Sequence, residues 1–100
     1  MKTGVELITE ERARQVDVEK WTIAHDATHL QHQLAFAAVA YALPAGYRGK
    51  KYENGKTNIP RDWPWERCWW KPDPCNRVHE LTKAGALIAA EIDRLQKQLI

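Results

Sequence analysis

The chain of 100 residues contains no serine and only two cysteines, and these absences exclude whole classes of function. A serine nucleophile is ruled out, and neither Cys68 nor Cys75 stands in a recognisable Cys/His motif for nucleophilic catalysis. A disulfide framework needs more cysteines and a secretion signal, so we expect two free thiols. A zinc site joining Cys75 and His79 is the alternative, although the spacing matches no recurrent zinc pattern.

The chain also has few glycines, no long apolar run and a small net charge. The five glycines form no phosphate-binding loop. No run reaches the length of a membrane span, and the opening residues "MKTGVELITEERARQ" lack the apolar centre of a signal peptide. We therefore expect a cytoplasmic protein with no membrane partner. A net charge of +2 argues against general nucleic-acid binding, although the basic residues from Arg48 to Arg61 could hold a few phosphates.

What remains is the composition of one globular domain covering residues 1–100, with 44% hydrophobic and 28% charged residues. A chain this short buries a small core. Self-association is an economical source of further stability, so we expect a homo-oligomer.

The apolar periodicity predicts a mainly α fold, with a three-helix core, a long aromatic loop and a small β-hairpin. The helices are predicted at about 5–20, 28–43 and 77–98, with the loop and hairpin at 44–76. Thr3 and Glu6 form a capping box at the first helix. Asp26 or Thr28 is a candidate N-cap for the second helix, and Asn76 for the third.

The third helix carries a heptad pattern, which is typical of helix pairing. Its apolar residues alternate spacings of four and three: Leu81, Gly85, Ile88, Ile92, Leu95 and Leu99. The last two turns are the best candidate for a subunit contact.

Residues 44–76 form a connection that is long for so small a domain, and such connections usually carry function or structure of their own. Asn54-Gly55 predicts a type I′ turn between two short strands. Four of the five tryptophans follow within "RDWPWERCWWKPDPC", where the prolines exclude regular helix or sheet.

Two interpretations of these tryptophans stay open. The rings could stack on a base, at roughly 1–3 kcal/mol per base, with Arg61, Arg67 and Lys71 placed for phosphates. Alternatively they could fill a small core, because a buried tryptophan contributes ~200 Å². We expect both roles, with Trp65 and Trp69 the more buried.

Three histidines, His25, His29 and His32, would share one side of a continuous helix. Such a row could bind a metal. It could also contact a ligand phosphate or ribose at a helix start, where free amides favour anions, or simply be polar helix-start residues packed on tryptophan.

The length, helix content and aromatic loop loosely fit an all-helical, MazG-like nucleotide pyrophosphohydrolase. Such enzymes hold magnesium with ExxE and ExxD carboxylates on two helices. None of the helical carboxylates here has an acidic partner three residues later, so the metal site of such an enzyme is missing. A degenerate relative that kept only the nucleotide pocket stays open as an alternative.

Four motifs resemble a family of small phage and prophage proteins, most without an assigned function. They are "ERARQ" (Glu11 to Gln15), "WTIAHDATH" (Trp21 to His29), "WPWERCWWKP" (Trp63 to Pro72) and "KAGALIAAEIDRL" (Lys83 to Leu95). The resemblance covers most of the chain, and residues 47–59 look like an insertion relative to shorter members. It implies a phage context and hence the host cytoplasm.

By analogy with that context, we expect an anti-defence protein that sequesters a small nucleotide-derived immune signal, such as a cyclic nucleotide or an ADP-ribose derivative. We expect neither catalysis nor a cofactor. A pyrophosphohydrolase and a module that docks on a host protein are the alternatives. The predicted ligand-binding residues are Trp21, His25, Asp26, His29, Arg61, Trp63, Trp65, Arg67, Trp69, Trp70 and Lys71.

Overall fold

The computed structural model describes residues 1–17, 32–53 and 56–98, and this part of the chain is mainly helical, as the periodicity predicts. It contains three helices: α1 (Gly4–Asp17), α2 (Gln33–Ala42) and α3 (Arg77–Gln98). Short 3₁₀ turns lie at Ala45–Tyr47 and Arg67–Trp69. No helix of the described residues combines the length and apolar character that a membrane crossing requires.

Two short strands, β1 (Lys51–Glu53) and β2 (Lys56–Ile59), pair antiparallel between α2 and the tryptophans. Lys51 lies opposite Ile59, and Glu53 lies opposite Lys56. The predicted turn residues 54–55 lie outside the described residues.

The capping box at the start of α1 is confirmed. The Thr3 amide donates to Glu6 Oε1 at 3.0 Å, and the Glu6 amide donates to Thr3 Oγ1 at 3.2 Å. These bonds satisfy two amides that a helix start leaves without partners. They also lower the pKa of the Glu6 carboxyl.

Helix α2 begins later than predicted. His32 has a φ of 63°, in the left-handed region, and its carbonyl accepts the Phe36 amide at 3.1 Å. A left-handed residue cannot continue a right-handed helix, so the prediction of an unbroken helix over 28–43 is wrong at residue 32. The row of three histidines would require one continuous helix, and His32 does not continue it; His25 and His29 lie outside the described residues. Residues 18–31, with the proposed caps Asp26 and Thr28, lie outside the described residues.

Helix α3 begins as predicted, because Asn76 Oδ1 accepts the His79 amide at 3.1 Å. Its core face is not the heptad face. The small residues Ala84, Ala86 and Ala90 are buried, together with Leu87. The predicted seam lies outward, with exposures between 41% and 50% at Leu81, Ile88, Ile92 and Leu95.

The core lies where α2, α3 and the long connection meet. Leu34 of α2, Leu87 of α3, Ile59 of β2 and Trp63 are each 1–2% exposed. Alanines on both helices allow α2 and α3 to pack closely, and the larger side chains of the connection fill the remaining space.

A buried cluster around the Glu80 carboxylate, here called the Glu80 clasp, ties both ends of the connection to the helices. Arg48 Nη2 lies 3.0 Å and Arg77 Nη1 3.1 Å from Glu80 Oε1, and the Asp73 amide donates to Glu80 Oε2 at 3.1 Å. Burial raises the pKa of Glu80, but Arg48 and the other donors lower it more, so the net pKa is depressed.

The same two arginines cap α2. Arg48 Nε donates to the Ala40 carbonyl at 2.6 Å, and Arg77 donates to the carbonyls of Tyr41 and Ala42. The last carbonyls of a helix have no partners within it, and cations are stabilising there.

Candidate functional site

The tryptophan segment divides its rings between core and surface. Trp63 is 2% exposed, Trp65 and Trp70 are half-buried, and Trp69 is 49% exposed. The expectation that Trp65 and Trp69 are the buried pair is therefore wrong. A 3₁₀ turn at Arg67–Trp69 follows Trp65 and includes Trp69, so the side chains do not alternate between two sides as they would in an extended segment.

Tyr41 of α2 is the ring around which the segment packs. Its centroid lies 5.6 Å from Trp63, edge to face, and 4.6 Å from Trp70. Trp63 in turn lies 5.3 Å from Trp65. The Lys71 amide donates to Tyr41 Oη at 3.1 Å, and burial raises the pKa of this phenol. The segment is therefore held along its length by one helix residue.

An open cleft lies beside these rings, with a cavity volume of about 40 Å³. The cleft is formed by α1, α2, α3 and the tryptophan segment together. Its lining residues are Glu11, Arg14, Gln15, Tyr41, Trp63, Trp65, Trp69, Lys71, Lys83 and Leu87.

The α1 wall of the cleft is polar and buried. Glu11 is 7% exposed and Gln15 2%. Arg14 Nε and Nη2 each donate to the Glu11 carboxylate at 2.8 Å, in a two-pronged pair. Burial raises the pKa of Glu11, but the hydrogen bonds and charge of Arg14 outweigh it, so the pKa lies below its ordinary value.

Helix α3 and the tryptophan segment supply two ammonium groups, those of Lys83 and Lys71. Lys83 Nζ donates to the Lys71 carbonyl at 2.9 Å and lies 5.3 Å from the Tyr41 ring centroid. Burial lowers the pKa of Lys83. Lys71 Nζ lies 5.9 Å from the Trp69 ring centroid, within cation–π range. Aromatic faces and cations are thus adjacent in one cleft.

The structure brings together only part of the predicted site. Trp63, Trp65, Trp69 and Lys71 line the cleft, with Trp63 serving as its buried floor. The other predicted residues in the described chain, Arg61, Arg67 and Trp70, are not among the lining residues. Trp21, His25, Asp26 and His29 lie outside the described residues.

Six lining residues were missed by the sequence analysis: Glu11, Arg14, Gln15, Tyr41, Lys83 and Leu87. A signal for three of them was present. Glu11, Arg14 and Gln15 stand at i, i+3 and i+4, so they share a helix face, and they belong to the "ERARQ" motif. The basic residue Arg48, expected to hold a phosphate, is 6% exposed and paired with Glu80 instead.

The remaining candidates for a reactive or metal-binding group are the two cysteines and His79. Cys68 and Cys75 are free thiols, both exposed, and His79 Nδ1 lies 2.9 Å from Asp73 Oδ2. Within residues 1–17, 32–53 and 56–98, no group of three His, Cys, Asp or Glu side chains is placed to hold a metal ion.

Comparison with protein-family models, with curated proteins and with solved structures gave no match. The interpretation of the cleft therefore depends on its own residues.

Proposed function

We propose that the cleft binds a small nucleotide-derived ligand and that the protein sequesters it without converting it. One observation carries the proposal: the half-exposed Trp69 ring and the ammonium groups of Lys71 and Lys83 line the same cleft. A nucleotide needs an aromatic face for its base and cations for its phosphate.

The aromatic wall is preorganised. The Trp69 amide donates to the Glu66 carbonyl at 3.1 Å, and the Trp70 amide to the Arg67 carbonyl at 3.0 Å, which closes the 3₁₀ turn. The Lys71 amide is held by the Tyr41 hydroxyl. A backbone fixed in this way loses little conformational freedom when a base stacks on the ring it carries, and the affinity benefits.

The charge balance of the cleft favours an anion. The Glu11 carboxylate is offset by the Arg14 guanidinium at 2.8 Å. Lys71 and Lys83 then leave the lining residues with a net positive charge. Lys83 uses one ammonium proton on the Lys71 carbonyl, and an ammonium has three to donate.

The cleft favours binding over turnover because its carboxylate is already engaged. Glu11 accepts hydrogen bonds from both Arg14 and Gln15. No second carboxylate is among the lining residues of the described chain, whereas a magnesium-dependent pyrophosphohydrolase needs several. The resemblance to phage proteins would make the ligand a nucleotide signal of bacterial immunity.

The proposal is tested by isothermal titration calorimetry with AMP, GMP, cyclic AMP and ADP-ribose. We expect Trp69→Ala to weaken binding by roughly 5- to 150-fold, the equivalent of losing one stacked base (~1–3 kcal/mol). Lys71→Gln is expected to weaken it as well, with a smaller salt dependence. Tyr47→Ala and Lys97→Gln are the matched controls, since Tyr47 is 76% exposed and neither residue lines the cleft.

The fate of the ligand separates the alternatives. Intact ligand released by heat denaturation, identified by mass spectrometry, supports sequestration. A converted product would establish an enzyme. If no panel member binds, or if the cleft variants bind as well as the controls, the cleft assignment is wrong.

We also propose that two copies of the chain pair through the outward face of α3. Leu81, Ile88, Ile92 and Leu95 repeat at spacings of seven, four and three and are 41–50% exposed. Gly85 belongs to the same stripe, and Ile8 of α1 packs against it. A Cβ added at Gly85 would lie only 2.5 Å from Ile8 Cδ1.

The residues flanking this face favour a second copy as the occupant. Thr82, Ala89 and Gln96 follow the stripe on one side and carry no charge. The other flank carries Glu91, so two copies that meet in parallel, with each flank against the opposite flank of its partner, do not oppose like charges. This pairing is the form that the expected homo-oligomer would take.

A further inference from the structure

His79 and Asp73 form a hydrogen-bonded pair that the proposed site does not yet use. His79 Nδ1 lies 2.9 Å from Asp73 Oδ2, and the Asp73 amide is anchored in turn on Glu80 Oε2 at 3.1 Å. The side chains of His79 and Asp73 are 41% and 38% exposed, so a molecule in solution can reach both. The pair is therefore ordered by its neighbours and accessible at the same time.

This pair adjoins the end of the cleft where the two ammonium groups lie. His79 and Lys83 stand four residues apart on α3, so they share one face of the helix, and Asp73 follows Lys71 by two residues. Burial lowers the pKa of Lys83, and the charge of Asp73 opposes that shift. Burial raises the pKa of Glu11, and the charge of His79 is one of the effects that lower it. The pair thus lies close to lining residues of both α1 and α3.

The hydrogen bond to Asp73 fixes the direction of the imidazole ring. An ionised carboxylate can only accept, so Nδ1 carries a proton and donates it to Asp73. The other ring nitrogen, Nε2, has no hydrogen-bond partner among the described residues. When the ring is protonated, Nε2 becomes a second donor on a positively charged group. Charge-assisted donors of this kind make short, strong hydrogen bonds to phosphate oxygens.

We infer that His79 is a proton-linked contact for the phosphate of the bound nucleotide, with Nε2 completing the cationic end formed by Lys71 and Lys83. This inference rests on the proposed nucleotide binding and deepens it. A phosphate oxygen favours the protonated imidazole, so binding takes up a proton. The affinity then rises as the pH falls through the range, roughly pH 5 to 8, in which histidine side chains ordinarily titrate. The charged groups around His79 are Asp73 and Lys71 of the tryptophan segment, Glu11 and Arg14 of α1, and Glu80 and Lys83 of α3.

The test is isothermal titration calorimetry in two buffers of different ionisation enthalpy, which counts the protons taken up on binding. The probes are cyclic AMP and ADP-ribose, whose phosphates have no second ionisation near neutral pH, with adenosine as the ligand without a phosphate. If only AMP or GMP binds, the difference between wild type and His79→Gln is used, because the titration of the free phosphate is common to both. His32→Gln is the matched control, since His32 Nδ1 also has a carboxylate nearby, Glu91 Oε2 at 3.6 Å, but His32 does not line the cleft.

At about pH 6.5 we expect the wild type to take up a fraction of a proton with each phosphate ligand that binds, and His79→Gln to lose this uptake. His79→Gln is also expected to weaken the binding of these ligands by roughly 10-fold, the low end for a hydrogen bond to a charged group, and to leave adenosine binding unchanged. His32→Gln is expected to match the wild type in both respects. Circular dichroism confirms that each variant is folded.

The contrary outcomes are distinguishable. Nucleotide binding by the wild type without proton uptake, or equal uptake in wild type and His79→Gln, would overturn the inference and leave the proposed function standing. An equal loss of adenosine and phosphate-ligand affinity in His79→Gln would also overturn it, because the ring would then support the shape of the cleft. Absence of any nucleotide binding by the wild type would refute the proposed function itself, and the inference with it.

Discussion

The division of the tryptophans into core and cleft is tested by comparing Trp63→Ala with Trp69→Ala. Trp63 is 2% exposed and contacts Tyr41, Trp65 and Trp70 at centroid distances of 5.0–5.6 Å. Deleting such a ring is expected to cost ~3–5 kcal/mol of the free energy of unfolding. Domains of this size have only ~5–15 kcal/mol in total, so Trp63→Ala removes a large part of it.

Trp69 is 49% exposed, so about half of its ~200 Å² stays in contact with water when the protein folds. At ~25 cal/mol per Å², its removal costs at most ~2.5 kcal/mol, and less where the Lys71 stem can move into the vacated space. We therefore expect Trp69→Ala to retain at least ~0.5–2.5 kcal/mol more stability than Trp63→Ala, while losing ligand affinity.

Urea unfolding followed by far-ultraviolet circular dichroism measures this difference without relying on the altered fluorescence. The denaturant slope is expected to stay constant while the midpoint moves. Trp63→Phe, which keeps an aromatic ring against Tyr41, is expected to recover part of the loss. Equal destabilisation by Trp63→Ala and Trp69→Ala would refute the reasoning, because the rings would then form a single core with no surface reserved for a ligand.

Two further predictions concern acid stability and assembly. The folded pKa values of Glu11 and Glu80 lie below the ordinary 4.5, so the stability these groups contribute is present above about pH 4.5 and is lost as the pH falls through their lowered values. Thermal unfolding from pH 7 to pH 3 is expected to show this decline, and an unchanged midpoint across that window would contradict it. By light scattering, we expect the wild type to show a concentration-dependent dimer and Ile88→Lys to be a monomer, because two lysines would face each other in the pair. Val5→Lys is the control, at a position 75% exposed on α1, and is expected to leave the mass unchanged. A wild type that stays monomeric across the concentration series would rule out the pairing.

Local signals in the sequence identified the parts of the fold that depend on neighbours in the chain. The Thr3–Glu6 capping box and the Asn76 cap are recognisable because all their partners lie within three residues. The left-handed conformation of His32 had no such signal, since neither glycine nor asparagine marks the position.

The burial of α3 was harder to predict because its partners are distant in sequence. Hydrophobic periodicity selects the face with the largest apolar residues, yet Glu80 is buried by Arg48, which lies far earlier in the chain. A hydrophobicity pattern cannot predict an ion pair between residues so far apart in the sequence. The same limit explains why Lys83 and Tyr41 were missed as cleft residues, whereas the tryptophans were found by their composition alone.

The Glu80 clasp has a consequence for how the chain can change in length. Arg48 and Asp73, at the two ends of the connection, both bind the Glu80 carboxylate. Within the connection, the Arg61 amide donates to the Arg48 carbonyl at 3.2 Å. In a chain whose thiols are free, these ion pairs and hydrogen bonds serve as a non-covalent staple. Because each doubling of a closed loop costs only ~0.6 kcal/mol, the connection between β1 and β2 can be lengthened by a grafted peptide while Ile59, Trp63 and the cleft keep their places.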